Sequence, residues 1–220
     1  MSGVDATVLE RTEVMKTLAE EYIKTGDVRA GVKAVEGALM LQKTFYSGMI
    51  NSVVQETMLL MAEAYTINQQ TDEALAVYSD ILDARGSGFG AAGDEPVKDI
   101  YRKMAPLYQQ KENFLEAAQC LQKVIEEESQ EIVKVGLLTK IAGNYKKADK
   151  QAECIKASFD AYELMKKLSG EHDAQTCRCR INLAQVYQHF ELNDEAKAHY
   201  QEYLTAYRAQ NGENDTDDWS

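Results

Sequence analysis

A short pattern of apolar, small and aromatic residues recurs five times along the chain. Each copy has a large apolar residue, a small residue directly after it, and a tyrosine three positions later. The copies are Leu18-Ala19 with Tyr22, Met61-Ala62 with Tyr65, Met104-Ala105 with Tyr108, Ile141-Ala142 with Tyr145, and Leu183-Ala184 with Tyr187. Spacings of three and four residues place side chains on one face of an α-helix. Each copy therefore predicts a helix with one apolar face.

A second helix is predicted after each of these tyrosines. A small residue stands nine positions past each tyrosine, and it would let two helix axes approach closely. These small residues are Gly31, Ala74, Ala117, Cys154 and Ala196. Turn-forming stretches such as Lys24-Thr-Gly-Asp27 lie between, where Asn, Asp or Thr can cap the following helix. Each copy thus predicts a helical hairpin with its tyrosine in the core.

This pattern resembles the tetratricopeptide repeat, over roughly residues 8–210. The five tyrosines are 43, 43, 37 and 42 residues apart, which is longer than the ~34 residues of the standard repeat. Repeats of this length are similar to the kinesin light chain class. Leu168–Thr176, followed by Ile181-Asn182-Leu183-Ala184, is similar to a linker and helix start of that class. The resemblance implies an all-α fold, a right-handed superhelix (α-solenoid) of about five helical hairpins.

The repeats predict a single array followed by a short tail. We expect the array over residues 1–210 and an acidic flexible tail over 211–220. The tail holds Trp219 after two aspartates, so it is interpreted either as a short linear motif or as a disordered solubilising segment. The repeats are expected near 12–45, 55–88, 98–131, 135–168 and 177–210.

Charge and hydropathy narrow the class of partner. The 220 residues include 24 basic and 36 acidic side chains, for a formal net charge of −12. Contacts to phosphate need a basic face, so we expect neither nucleic acid nor an anionic membrane as a partner. No apolar run approaches the ~20 residues that span a bilayer, and the N-terminus lacks the features of a signal peptide. These observations predict a cytoplasmic protein. Association with the cytoskeleton or a cilium is implied by the resemblance alone.

Two segments have the residue types of a chemical site but lack its context. Gly88-Phe-Gly90-Ala-Ala-Gly93 has the letters of a dinucleotide-binding loop, but a helical segment precedes it and Asp94 follows it. Cys177 and Cys179, near His172, point to different helix faces and have no second ligand pair for a metal. We predict an inter-repeat loop, structural cysteines, no cofactor, no metal and no enzymatic activity.

The concave groove that first helices line in tetratricopeptide arrays is the first predicted binding surface. By register, it begins with the acidic residues Glu20, Glu56 and Glu63 beside Lys16. Farther along the chain its charged side chains are basic, and that end would attract an acidic segment of a partner. Ordinary exposed charge is the alternative interpretation. The basic candidates are Arg102, Lys103, Lys140, Lys146, Lys147 and Arg178.

The last predicted helix supplies the second candidate surface. It is rich in large side chains, whereas a solenoid usually ends in a helix with a polar outer face. Large exposed aromatic surface usually marks an interface. We therefore expect this uncapped C-terminal end to dock against another chain or a second copy, giving a homo- or hetero-oligomer. The candidates are His199, Tyr200, Tyr203, Leu204, Tyr207 and Trp219.

The sequence as a whole predicts a binding function with proteins or peptides as partners. The leading hypothesis is a scaffold or adaptor, a structural subunit of a larger cytosolic or cytoskeletal assembly, with motor or ciliary complexes implied by resemblance. The alternative is a regulatory protein that senses a short acidic peptide in its groove. A third hypothesis is an enzyme subunit whose catalytic partner is a different chain. Fold alone does not choose among them.

Overall fold

The structure is a computed structural model that describes residues 3–86 and 96–211. The glycine-rich segment at 88–93 and Trp219 lie outside the described residues. Within the described ranges there are ten α-helices and no strand, so the all-α prediction is confirmed. The helices are α1 (Gly3–Lys24), α2 (Val28–Phe45), α3 (Ser52–Ile67), α4 (Thr71–Gly86), α5 (Val97–Gln110), α6 (Phe114–Glu126), α7 (Glu131–Lys147), α8 (Gln151–Ser169), α9 (Ala174–His189) and α10 (Asn193–Asn211).

The turn after each odd-numbered helix has the same backbone signature. Four positions past each repeat tyrosine, the residue has a positive φ, between 54° and 89°. Only one of the five is glycine, the residue that adopts this conformation most readily. In the first turn, Asp27 then caps α2 by accepting a hydrogen bond from the Ala30 amide at 3.2 Å. The residues with positive φ are Gly26, Gln69, Glu112, Asp149 and Glu191.

The chain divides into two compact units, Met1–Lys111 and Glu112–Ser220. In the first unit, α1 packs on α2, α2 on α3, α3 on α4, and α4 on α5. In the second unit, α6 packs on α7, α7 on α8, α8 on α9, and α9 on α10. Each helix thus buries its apolar face mainly against its neighbours in the sequence, as expected for helical repeats.

The small residues of the second helices are buried at all five positions, as predicted. Ala74, Ala117 and Cys154 have no exposed surface. At Gly31, a Cβ atom would lie only 2.8 Å from Cγ1 of Ile23 in α1. The axes of α1 and α2 therefore approach closely because this position has no side chain.

The repeat tyrosines are less buried than expected. Tyr145 is 5% exposed, but the other four are only partly buried. Tyr65 gives the physical reason, since its ring packs inward while its hydroxyl donates a 2.7 Å hydrogen bond to the Glu36 carboxylate at the surface. Burial and this carboxylate raise the pKa of Tyr65 to about 12. Four of the five tyrosines therefore lie at the border of the core, and Tyr65 keeps a polar contact outside it.

No helix in residues 3–86 or 96–211 is both long and apolar enough to cross a bilayer.

Candidate partner-binding surfaces

In the first unit, the charges predicted for the groove pair with one another. Lys103 of α5 lies 2.7 Å from the Glu63 carboxylate of α3. Lys16 of α1 lies 3.6 Å from the Glu56 carboxylate of α3 and 3.0 Å from Glu13 of its own helix. Acidic and basic side chains of neighbouring first helices therefore neutralise each other here. Each pair is partly exposed, so each adds at most about 1 kcal/mol to stability.

Arg102, the other basic candidate of the first unit, also has a carboxylate partner. Its guanidinium lies 2.8 Å from Asp99, one turn earlier in α5. The predicted groove cations of the first unit are thus already engaged with carboxylates.

In the second unit, the first helices border an open pocket of about 220 Å³. Its walls are made by α7, α8 and α9, and several of its residues are small, including Gly143, where an added Cβ would meet no atom within 4 Å. The lining residues are Thr139, Ala142, Gly143 and Lys146 of α7, Ser158 and Ala161 of α8, and Cys179, Asn182, Gln185 and Val186 of α9.

Of the basic residues predicted for this part of the chain, Lys146 lines the pocket. Lys140 and Arg178 are exposed but lie outside its lining, and Lys147 places its ammonium 4.9 Å from the centre of the Phe114 ring. No residue that the structure describes forms a salt bridge with Lys146. Its ammonium is therefore available to a negative group entering the pocket.

Three polar lining residues are not among the predicted candidates, which were chosen by charge. Thr139 stands six positions before the repeat tyrosine, and Asn182 stands five before the next one. Gln185 stands two before that tyrosine, the register of Glu20 and Glu63 in the first two repeats. Applying the same register to uncharged polar side chains would have selected them. Two amides and a hydroxyl give the pocket donors and acceptors that suit a peptide backbone.

The two cysteines beside the pocket are poor nucleophiles. Cys154 is fully buried, its thiol donates a 3.2 Å hydrogen bond to the Ala142 carbonyl, and burial raises its pKa to about 11. Burial also raises the pKa of the Cys179 thiol. Because the thiolate is the reactive form, both side chains pack as neutral groups. Across residues 3–86 and 96–211, no group of three or more His, Cys, Asp and Glu side chains is placed to hold a metal ion.

The aromatic candidates on α10 fall into two groups. The His199 ring stacks on Tyr187 with centroids 5.4 Å apart and meets the edge of Tyr162 at 6.4 Å. Burial lowers the pKa of His199, so this side chain takes part in packing between helices. Leu204 and Tyr207, by contrast, are 45% and 42% exposed.

The remaining α10 candidates are partly buried. The Tyr200 hydroxyl donates a 3.3 Å hydrogen bond to the Gln188 side chain, and the Tyr203 ring lies 6.2 Å from that of Tyr207. Leu204 and Tyr207 are therefore the most exposed of the α10 candidates.

Arg180 is a buried cation that the sequence analysis did not single out. It is 3% exposed, and its guanidinium donates to the Tyr162 hydroxyl at 2.5 Å and to the Glu171 carboxylate at 2.7 Å. The Glu202 carboxylate of α10 lies 3.6 Å away. The hydrogen bond from Arg180, together with Lys166, lowers the pKa of Glu171. Arg180 thus holds α8, the α8–α9 connection and α10 together.

Comparison with known proteins identifies the repeats. Residues 135–209 match the family model described as tetratricopeptide repeat, and this segment contains all the residues that line the pocket. A search of curated proteins finds no match to the chain.

Solved structures extend the same fold over most of the chain. The TPR-like repeats of a Podosopora anserina protein assigned as a kinesin light chain align over 92% of this chain and 97% of their own, at 16% identity and a TM-score of 0.60. A MamA protein aligns over 92% and 96%, at 15% identity and a TM-score of 0.58. MamA of Desulfovibrio magneticus RS-1 aligns over 91% and 97%, at 11% identity and a TM-score of 0.56. The predicted tetratricopeptide fold is confirmed.

Proposed function

We propose that this tetratricopeptide repeat chain is a non-catalytic scaffold or adaptor that holds a short acidic segment of a partner protein in the pocket between α7, α8 and α9. The observation that carries the proposal is the combination, in one pocket, of an available cation at Lys146 with the amides of Asn182 and Gln185. A carboxylate would meet the ammonium, and a peptide backbone would exchange hydrogen bonds with the amides.

The size of the pocket favours a peptide over a metabolite. Its volume of about 220 Å³ is below the roughly 300–1,000 Å³ of typical small-molecule sites. Such a pocket accepts one or two side chains of a longer segment, with the rest of that segment lying across the exposed faces of the first helices. The exposed cations Lys140 and Arg178 would add long-range attraction for an acidic segment, although the chain is acidic overall.

The assembly and its location are a further part of the proposal. On the resemblance to kinesin light chain repeats, we place the chain in the cytoplasm, as a structural subunit of a cytoskeletal, motor or ciliary assembly. Sedimentation of the chain with microtubules from a native extract would support that setting. A chain that stays in the supernatant while known microtubule-bound proteins sediment would contradict it.

A peptide library displayed on phage tests the binding chemistry directly. Selection on the intact chain should enrich peptides that carry Asp or Glu. The charge reversal Lys146→Glu should weaken the selected peptides at least about tenfold, which is about 1.4 kcal/mol. Lys156→Glu is the matched control, because Lys156 is an exposed residue of α8 outside the pocket lining. No acidic preference, or an equal loss with both variants, would refute the proposal.

Affinity purification from the native source separates the scaffold from the peptide sensor. A stable partner recovered from the native source in stoichiometric amounts, and lost with Lys146→Glu, favours the structural subunit. Reversible binding of a free acidic peptide without a stoichiometric protein partner favours the sensor.

A further inference from the structure

The outer face of α1 exposes two apolar residues at positions that are buried in every other repeat. Val14 and Leu18 stand eight and four positions before Tyr22, and they are 62% and 45% exposed. The residues at the same register in the other four first helices are 9% exposed or less. Those residues are Thr57 and Met61 of α3, Ile100 and Met104 of α5, Leu137 and Ile141 of α7, and Cys179 and Leu183 of α9.

The reason for this difference lies in the helix order within each unit. The first helices α3, α5, α7 and α9 each pack on the second helix that precedes them in the sequence. No described second helix covers α1 in this way. The exposed face of α1 is therefore one half of the same helix–helix contact that the repeats make internally.

The face of α10 that carries Leu204 and Tyr207 corresponds in register to the other half of that contact. These residues stand eight and eleven positions past Ala196, the small residue of their helix. The same positions past Cys154 in α8 are Tyr162 and Met165, which are only 4% and 2% exposed. Tyr162 and Met165 are buried in one apolar cluster with Cys179 and Leu183 of α9.

At a third position, the first four second helices are again buried where α10 is more exposed. The residue seven positions past the small residue is at most 3% exposed in the first four second helices, whereas its α10 counterpart, Tyr203, is partly exposed. The four buried residues are Ala38, Ile81, Val124 and Ala161.

The α1 face has an acidic border, whereas the α10 face has a cation next to Tyr207 as well as the carboxylate of Glu202. Val14 and Leu18 are bordered on α1 by Glu10, Glu13 and Glu21, whereas the last turn of α10 carries the cation Arg208. An acidic border favours a partner helix with a basic end, and like charges there would oppose two α1 faces meeting each other.

We infer that the chain stacks head to tail on a second copy of itself, with α10 of one copy covering α1 of the next. A second copy is the occupant because one chain supplies both halves of the contact, with Leu204 and Tyr207 in the places of Tyr162 and Met165. Val14 and Leu18 take the places of Cys179 and Leu183. The contact joins two different faces, so each copy keeps a free α1 or α10 face that can bind a further copy. One helix pair buries little area, so the association is weak and depends on concentration.

Sedimentation equilibrium of the full chain and of two single-face variants tests this inference. One variant carries Val14→Glu and Leu18→Glu, and the other carries Leu204→Glu and Tyr207→Glu. The wild-type average mass should rise continuously with concentration up to the millimolar range. Each variant alone should stay monomeric, because it keeps only one of the two faces. An equal mixture should form a one-to-one dimer and nothing larger.

Several outcomes would overturn the inference. Monomeric wild-type protein, or self-association of either variant alone, is incompatible with head-to-tail stacking, and so is a mixture that stays monomeric. Met40→Glu is the control, because Met40 is 74% exposed on α2 away from both faces, and it should associate as the wild type does. The milder pair Leu18→Ser and Tyr207→Ser repeats the test, with circular dichroism to check folding. The pocket is not part of this contact, so peptide binding and stacking can fail separately.

Discussion

The first helices of both compact units carry charged side chains, but the two sets of charges are used differently. In the first unit, Lys103 pairs with Glu63 and Lys16 with Glu56 across neighbouring helices. In the second unit, Lys146 lines a pocket, and its ammonium forms no salt bridge with any described residue. Sequence register thus identifies which side chains lie on this helix face. Whether a charge on that face is available depends on the side chain opposite it on the next repeat.

The largest expected effect is on the free energy of unfolding, and it compares a buried with an exposed arginine of the second unit. Arg178 and Arg180 are two positions apart in α9, but Arg180 is 3% exposed whereas Arg178 is exposed. Arg180→Ala should lower the free energy of unfolding by about 2–4 kcal/mol, because it removes charged hydrogen bonds to Tyr162 and Glu171. Arg178→Ala should change it by no more than about 0.5 kcal/mol. Urea unfolding of both variants checks this, and equal losses would show that Arg180 is not a structural link.

The next effect is on the pocket itself. Gly143→Leu should place a side chain in the pocket and weaken acidic peptides by about 100-fold, or about 2.7 kcal/mol. Gly136→Leu is the matched control in the same helix, because Gly136 also has open space around it but does not line the pocket. Both variants should raise helix stability by about 0.5–1 kcal/mol, since glycine is a poor helix former. Calorimetric titration measures the affinity, and equal binding by the two variants would place the peptide elsewhere.

A smaller effect is expected from breaking the pairing in the first unit. Glu63→Gln removes the carboxylate that lies 2.7 Å from Lys103. The loss of stability should be at most about 1 kcal/mol, because the pair is partly exposed. Acidic peptides should bind this variant with the wild-type affinity and stoichiometry, since the pocket is in the other unit. A second peptide bound per chain would show that pairing alone keeps the first unit from binding.

The smallest effect is a pH dependence in the second unit. Burial lowers the pKa of His199 below its ordinary value of 6.5, so the unfolded chain takes up this proton more readily than the folded chain. Stability should therefore fall slightly as the pH drops below about 6.5. His199→Phe keeps a ring against Tyr187 and should flatten the slope. The control His189→Phe, at an exposed position, should leave it unchanged when melting temperatures are compared across the range.

The helices and their contacts could be predicted from the sequence more fully than the binding pocket. The buried small residues such as Ala117 could be found because close helix approach admits few residue types. The pair Lys103 and Glu63 could not, because the two residues are 40 positions apart and their distance depends on how α3 and α5 pack. The pocket at Gly143 was missed for a related reason, since an opening between three helices has no signature in any one of them. The exposure of Leu18 could not be predicted either, because register indicates a core position but does not show whether another helix covers that position.

The most direct test of the account is a nuclear magnetic resonance titration of the isotope-labelled full chain with a selected acidic peptide, compared with the same peptide after Asp→Asn and Glu→Gln exchange. We expect backbone amide shifts centred on Thr139, Gly143 and Gln185, and much smaller shifts with the neutral peptide. Shifts centred instead on α1, α3 or α5, or identical for the two peptides, would contradict the claim that the second unit holds an acidic segment.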